Sequence, residues 1–453
     1  MFENKKILII GMARSGYEAA KYLSSKGNTV VLNDSKKREL QEAEKTKELE
    51  KLGVKLIFGS HPDDLLDKSF DFVIKNPGVP IDHKYVIKAR KLGIEVINEV
   101  EMSYRLLPSD VILIAITGTN GKTTTTTIAY EILKKEYKER VHLAGNIGYP
   151  LCSIIDKLKP NDIIVMEVSC QQGENFKEFR PHIGLFTNLS EAHIDFMKTY
   201  NHYKEVKARM FYNQDDNDVA IINKEDNTVM EELKDIKSRI KYFSSENEIN
   251  GCFTKSEKIY YYGEEIMPVS DIKIPGKHNL ENALGAIMIA KELNVSNKTI
   301  SEVLSDFKGV EHRLEYVGTI NKIRFYNDTE ATNIKCTQIA LSSFGEDITI
   351  ILGGLERGQN FDDLIPYMKK VKNIIGIGQC RERIRQFGNK LNIPTYIFEN
   401  LEEGFKKCIE VTKKGVVLLS PASASWDQYK ECEIRGAEFK KYVGEYGSDN
   451  SGK

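Results

Sequence analysis

The sequence predicts an α/β fold in three domains, and three observations carry that expectation. At 453 residues the chain exceeds what one core encloses, so two or three domains follow. Short apolar runs alternate with helical stretches along its length, the order that builds parallel sheets. The alternation restarts twice, at a strand entering a glycine-rich loop after Ile116 and again beyond a break at Gly309–Leu314.

Composition narrows the partners. Hydrophobic residues make up 41% and charged residues 29%, the balance of a globular protein. A formal net charge of -1 leaves no basic footprint, so neither nucleic acid nor an anionic membrane is expected as a partner. The seven cysteines are scattered without a C-x-x-C pair, as in a chain of reduced thiols. The apolar run Ile7 to Ile10 is shorter than the roughly 7–15 residues of a secretory segment. No stretch approaches the roughly 20 residues of a membrane helix. A cytoplasmic monomer is expected.

In residues 1–107, Lys6–Ile10, Thr29–Asn33, Lys55–Phe58 and Phe72–Ile74 read as strands, with helices at Tyr17–Lys26 and Lys36–Leu52. This is a Rossmann-like N-terminal domain. The second helix is dense in Lys and Glu and reads as a solvated face with i,i+4 pairs. The first strand leads into Gly11-Met12-Ala13-Arg14-Ser15-Gly16. Ala13 stands where a dinucleotide fingerprint has its second glycine, so another nucleotide diphosphate ranks above NAD. Asp34, at the end of the second strand, can accept hydrogen bonds from a ribose or a base.

Residues 108–309 hold the strongest local signal. The strand Val111–Ile116 runs into Thr117-Gly118-Thr119-Asn120-Gly121-Lys122-Thr123-Thr124, with a helix beginning near Thr123. Backbone N–H groups at such a turn converge on a phosphate. Lys122 would supply positive charge, and the Thr123 hydroxyl is placed to ligate Mg²⁺. The common G-x-x-x-x-G-K-[ST] pattern is not met, because its first glycine would fall at Ile116. Further strands read at Ile163–Val168, Ile183–Thr187 and Val219–Asn223, giving a central P-loop-type ATPase domain. Glu167, His193 and Lys207 follow the loop in that order, and each alone is ordinary.

Residues 310–453 read as a second Rossmann-like domain, with strands at Ile323–Tyr326, Thr349–Leu352, Ile374–Ile377, Thr395–Phe398 and Val416–Leu419. The last residues, Gly447 to Lys453, are small and polar and read as frayed.

Several motifs together resemble the Mur ligase superfamily, which includes folylpolyglutamate synthases. They are T-G-T-N-G-K-T-T, the segment Glu191-Ala192-His193-Ile194-Asp195-Phe196 with Lys207 after it, and Lys277-His278-Asn279-Leu280-Glu281-Asn282-Ala283. Asn327-Asp328-Thr329-Glu330-Ala331-Thr332-Asn333, Leu352 to Gly358 and Ser420 to Gln428 are similar to its D-glutamate-adding branch. The match runs in order from Ile10 to about Gly436.

The resemblance implies ATP-dependent addition of D-glutamate to UDP-N-acetylmuramoyl-L-alanine through an acyl phosphate, in peptidoglycan synthesis, with Mg²⁺. Residue by residue, Gly118, Thr119, Asn120, Gly121, Lys122, Thr123 and Thr124 would cradle the ATP phosphates. Asn282, Arg313 and Asp328 would hold the adenosine. Thr123 would touch one Mg²⁺, and Glu167, His193 and a carbamylated Lys207 the second. Ser15, Asp34, Asn76 and Gly78 would bind the UDP part, and Asn146 and Gln172 the muramoyl-alanine end. Thr332 and Arg357 would clamp the α-carboxylate of the amino acid, with Ser425 and Cys432 near its side chain. The sequence departs from the family where Glu330 replaces a common Lys, where Cys170-Gln171 lacks an aromatic, and where Cys432 replaces Phe. Another Mur-type or folylpolyglutamate-type ligase, or a catalytically weak nucleotide-binding regulator, remains an alternative at this point.

Overall fold

The computed structural model describes residues 2–450. Its first sheet has five parallel strands, β1 (Lys6–Ile10), β2 (Thr29–Asp34), β3 (Lys55–Phe58), β4 (Phe72–Lys75) and β5 (Glu95–Ile97), in the order β3-β2-β1-β4-β5. Side chains alternate between the faces of a strand, so an apolar run buried on both sides feeds two cores. Ile7 and Ile9 pack with Leu32 and Ile74 on one face, and Leu8 and Ile10 with Val31 and Val73 on the other. The strand order reverses between β1 and β4. In open α/β sheets a ligand crevice lies beyond the carboxyl ends of the strands at such a reversal.

The helix expected over Lys36–Leu52 forms only at Ala43–Lys51, after a single 3₁₀ turn at Arg38–Leu40. The Asp34 carboxylate accepts the Lys36 N–H at 2.8 Å and holds the chain in a turn. Leu40, the one large apolar residue before the helix, is exposed and anchors nothing.

The second sheet has nine strands, β6 (Ile112–Thr117), β7 (Val141–Gly145), β8 (Ile163–Glu167), β9 (Ile183–Phe186), β10 (Val219–Asn223), β11 (Arg239–Ser244), β12 (Gly251–Lys255), β13 (Lys258–Tyr261) and β14 (Glu264–Pro268). Their order is β14-β13-β12-β11-β10-β9-β6-β8-β7. The apolar centre was legible in the sequence, but β7 and the flank β11–β14 were not. β11–β14 mix charged and apolar residues, as strands with one wet face or at an edge do, and β7 is a short edge strand broken by His142 and Gly145.

The third sheet runs β15-β16-β20-β17-β18-β19, with β15 (Glu315–Ile320), β16 (Ile323–Asn327), β17 (Ile348–Gly353), β18 (Val371–Ile377), β19 (Thr395–Ile397) and β20 (Gly415–Leu419). β15 and β16 form an antiparallel hairpin turned by Asn321 and Lys322, both at positive φ, and the other pairs are parallel. One compact unit comprises residues 1–266 and 281–300, and a second comprises 267–280 and 301–453. Among the described residues no helix is long and apolar enough to cross a membrane.

Candidate active site

The phosphate loop leaves the carboxyl end of β6, and the helix Lys122–Tyr137 starts directly behind it. Gly121 is the N-cap of that helix and offers no side-chain cap, so the first-turn N–H groups face the loop. Gly121 sits at φ +81, and a Cβ there would lie 2.2 Å from Asn282 Oδ1. Asn282 thus packs against the loop and also accepts the Thr125 hydroxyl at 3.2 Å. The Lys122 ammonium donates to the carbonyls of Gly118 at 3.1 Å and Thr119 at 3.0 Å. Asn120 is held through its N–H by Asn188 Oδ1 at 3.0 Å, and its carbonyl accepts the Thr187 hydroxyl at 2.6 Å. Thr123 and Thr124 occupy the first helical turn, partly exposed.

Glu167 ends β8, beside β6, and is 1% exposed. Its Oε1 accepts Asn146 Nδ2 at 2.6 Å, while Oε2 is buried without a partner. Lys207, on the helix Tyr200–Ala208, is 3% exposed and donates to the Gly118 carbonyl at 2.5 Å. Burial first, and then the Lys122 charge, push its amine down to about 7. His193 is exposed, at φ +55, just before the short helix Ile194–Met197. Sequence reading passed over Tyr203, which connects these groups. Its hydroxyl bonds Thr119 Oγ1 at 3.0 Å, its ring lies 5.1 Å below Lys207 Nζ, and the His193 ring is 6.3 Å away.

These residues fit a hard divalent cation. A carboxylate oxygen buried without a donor is costly, and Mg²⁺ takes oxygen ligands. The Thr123 hydroxyl adds a further oxygen beside the loop.

At the reversal in the first sheet, Asn76 Nδ2 donates to Ser15 Oγ at 3.0 Å, and Asn76 Oδ1 accepts the Gly78 N–H at 3.2 Å. Both Asp34 oxygens are engaged by backbone, accepting from Met12 N at 2.7 Å and Lys36 N at 2.8 Å. Asp34 therefore shapes the Gly11–Gly16 loop. Arg14 extends from that loop to the carbonyls of Gly145 at 3.1 Å, Asn146 at 2.9 Å and Gly148 at 3.0 Å. It ties that loop to the segment carrying Asn146. Gln172 is 5% exposed, and its Oε1 closes the cap of the helix Cys170–Gly173 by accepting Ser169 N at 2.9 Å.

In the second unit, three motif loops leave the carboxyl ends of the adjacent strands β16, β20 and β17. Asp328 accepts Ser420 Oγ at 2.7 Å and Leu314 N at 3.1 Å, and burial raises its carboxyl to about 7. Arg313 lies 3.6 Å from Glu330. A cavity of about 440 Å³ is lined by Thr332, Lys335, Arg357, Gln359 and Ser423 among others, two cations and no carboxylate. The Arg357 guanidinium lies 5.6 Å from the centre of the exposed Trp426 ring. Ser425 is outside that lining, 1% exposed, with its hydroxyl buried and unpartnered.

Cys432 also stands outside the lining. Among the described residues it forms with Glu330 and Glu433 an anionic cluster whose ligand atoms lie within 4.8 Å of one another. Arg435, missed in the sequence because a lone Arg reads as solvated, is 1% exposed. It bonds Thr329 Oγ1 at 2.9 Å and the carbonyls of Gly353 and Ser423, both at 3.2 Å, joining all three loops.

Residues 5–98 match the family described as Mur ligase MurD-like, N-terminal domain, and residues 116–290 match the Mur ligase middle domain. The UDP-N-acetylmuramoylalanine--D-glutamate ligase of Geobacillus kaustophilus is 42% identical over 442 residues, 97% of each chain. The enzyme of the same name from Enterococcus hirae is 43% identical over 97% of this chain and 96% of its own. Among solved structures, a UDP-N-acetylmuramate-alanine ligase from Thermotoga maritima shares the fold at TM-score 0.57 and 21% identity, covering 98% of this chain and all of that one. A MurF ligase from Thermotoga maritima, in complex with ADP, aligns at TM-score 0.58 and 16% identity over 93% of this chain and 97% of that one. At 42% identity over 97% of each chain, and with both family models matching, the chain belongs to the Mur ligase family.

Proposed function

We propose that this chain is an ATP-dependent ligase that joins D-glutamate to UDP-N-acetylmuramoyl-L-alanine in peptidoglycan precursor synthesis, acting as a cytoplasmic monomer. The observation that carries this reading is the 42% identity to a D-glutamate ligase, spread over 97% of both chains and so over all three sheets. In this reading residues 1–107 take the UDP substrate, 108–309 take ATP, and 310–453 take the amino acid.

A carboxylate resists attack by an amine until one of its oxygens becomes a good leaving group. The muramoyl-alanine carboxylate attacks the γ-phosphorus of ATP, the P–O bond to ADP breaks, and an acyl phosphate forms. The D-glutamate amine then attacks the carbonyl carbon, and inorganic phosphate leaves from the tetrahedral adduct. Bringing anions together requires compensating charge, which Lys122 and the N-terminus of its helix supply. Bound Mg²⁺ would neutralise charge on the phosphoryl group, held by Thr123, Glu167, His193 and Lys207. Lys207 suits this role once its neutral amine has added to carbon dioxide and lost a proton, because the resulting carbamate offers oxygens. Asn282, Arg313 and Asp328 position the adenosine. Arg357 and Thr332 grip a carboxylate of the amino acid, the guanidinium by paired hydrogen bonds.

The test is phosphate release from ATP with UDP-N-acetylmuramoyl-L-alanine and a panel of amino acids. Release with D-glutamate alone, and a product heavier by one glutamyl unit, is expected. Turnover with another amino acid in its place overturns the reading.

A further inference from the structure

Lys75 ends β4, directly before the turn that meets the Gly11 loop at the reversal of strand order. Its side chain is fully buried, yet among the described residues no carboxylate pairs with it. Its ammonium donates to the Val79 carbonyl at 2.7 Å and the Pro77 carbonyl at 3.5 Å, both in the following turn. A lysine carries three donors, so one remains without an acceptor in the protein. Methionine would fill the same space without desolvating a charge, so a charge kept here needs a use.

The turn is pinned on its other sides. Asn76 N donates to the Ile10 carbonyl at 2.9 Å, and Asn76 Nδ2 reaches Ser15. A Cβ on Gly11 would come within 2.9 Å of Asn76 Cβ, so turn and loop are in contact. From the loop the helix Arg14–Ser25 begins without a side-chain cap, and its first N–H groups present positive potential. The turn that the buried ammonium holds thus touches the uncapped first turn of that helix, through Asn76 and Ser15.

We propose that Lys75 is the positioning residue of the nucleotide end, fixing the Asn76–Val79 turn and placing a positive charge behind the diphosphate of a UDP-linked substrate. This rests on the reading that the first domain takes that substrate. Three charged or titratable groups act on the amine or feel its charge: Glu174, Arg90 and His83. Glu174 is committed to His202 at 2.7 Å. Burial holds His83 and its neighbour His61 below the usual imidazole range, so both are neutral above pH 7. Burial lowers Lys75 to about 8, with Glu174 opposing. A diphosphate favours the protonated amine, so affinity for it falls as pH rises through that value.

The experiment measures binding of UDP and of uridine to the full chain between pH ~7 and ~9.5, for the wild type, Lys75→Met and Lys75→Arg. The uracil ring is common to both probes, so their affinity ratio isolates the phosphates. In the wild type the preference for UDP is expected to fall about tenfold across that range, and in Lys75→Arg it should stay flat and high. Lys75→Met should bind UDP about 10–100-fold more weakly at pH ~7, with uridine unchanged, and should raise KM for the UDP substrate with little change in kcat. Equal loss of UDP and uridine in Lys75→Met would reduce Lys75 to a structural role and overturn the proposal. So would a wild-type preference that is constant with pH, a measurement that needs no variant to fold. UDP binding that ignores pH and Lys75 sinks this inference alone, whereas a wild type that binds neither probe sinks the reading beneath it as well.

Discussion

The phosphate loop and the cavity lined by Arg357 both lie at the carboxyl ends of adjacent parallel strands, but they are built from opposite materials. Beside the loop two charged groups are desolvated. Glu167 is 1% exposed and Lys207 3% exposed, and each is fixed by a short hydrogen bond. In the cavity Arg357 and Lys335 are exposed side chains, and neither has a carboxylate partner among the described residues. Charges in a dry site act at full strength on a transition state, whereas solvated charges are screened and mainly tune affinity. The first site should therefore govern kcat, and the second KM for the amino acid.

The largest effect belongs to Lys207. Lys207→Ala should lose about 10²–10³-fold or more in kcat by phosphate release, and formate or acetate should restore part of it by supplying a carboxylate in the vacated space. Lys207→Arg should not be rescued, because the guanidinium fills that space. Near-native turnover of Lys207→Ala would break the contrast between the two sites.

The same residue predicts a stability slope. Its folded amine is held at about 7 against the ordinary 10.5, so between those values the unfolded chain binds more protons. With carbon dioxide excluded, so that Lys207 stays a free amine, wild-type stability should rise as pH climbs through that window, with the full cost of the buried charge present below pH 7. Lys207→Met lacks that cost. Its advantage in urea midpoint should be greatest near pH 7 and shrink toward pH 10.

Next in size is Arg357→Gln, which should raise KM for D-glutamate about 10–100-fold with kcat nearly kept, as loss of a charged hydrogen-bonded pair implies. A fall in kcat with unchanged KM would move Arg357 out of ground-state binding. Lys335→Met should raise the same KM only about 3–5-fold, because a flexible, exposed ammonium contributes about 1 kcal/mol or less. Its KM for ATP should not move. An effect equal to that of Arg357 would show the cavity to be drier in the complex than its exposure suggests.

How much could be read from the sequence follows from the same contrast. The phosphate loop was legible because a strand, a turn and a helix start stand there in contiguous residues, whereas Glu167 stood out only by its order after that loop. Tyr203 and Arg435 were not, because their roles come from contacts made 84 residues away at Thr119 and 106 residues away at Thr329. Lys75 lies one residue past the strand read at Phe72–Ile74, yet it is the buried last residue of β4. The strands β11–β14 were missed because their charged faces mask the apolar period. Thr332 and Arg357, which the resemblance paired, both line the cavity, but the sequence had no means to find Lys335, whose position depends on where its helix starts.

Glu330→Lys is the smallest expected change and the most discriminating. Glu330 is not part of the cavity lining, and Arg313 lies 3.6 Å from its carboxylate. Reversing its sign acts on a bound dicarboxylate only through partly exposed surroundings, where screening is strong. KM for D-glutamate should stay level or fall a few-fold. The effect should be plain at Cys432, whose thiol is pushed up to about 11 by burial, then by Glu330 and Glu433. A cation at 330 removes one of those causes and opposes the others, so the thiol drops and its thiolate fraction rises. Alkylation by iodoacetamide near pH ~8.5, followed at Cys432 by mass spectrometry, should accelerate several-fold. Five of the other six cysteines are buried and give an internal reference. A KM raised more than about tenfold, with Cys432 reactivity unchanged, would mean that Glu330 contacts substrate directly, and the cavity would then have to extend to the anionic cluster.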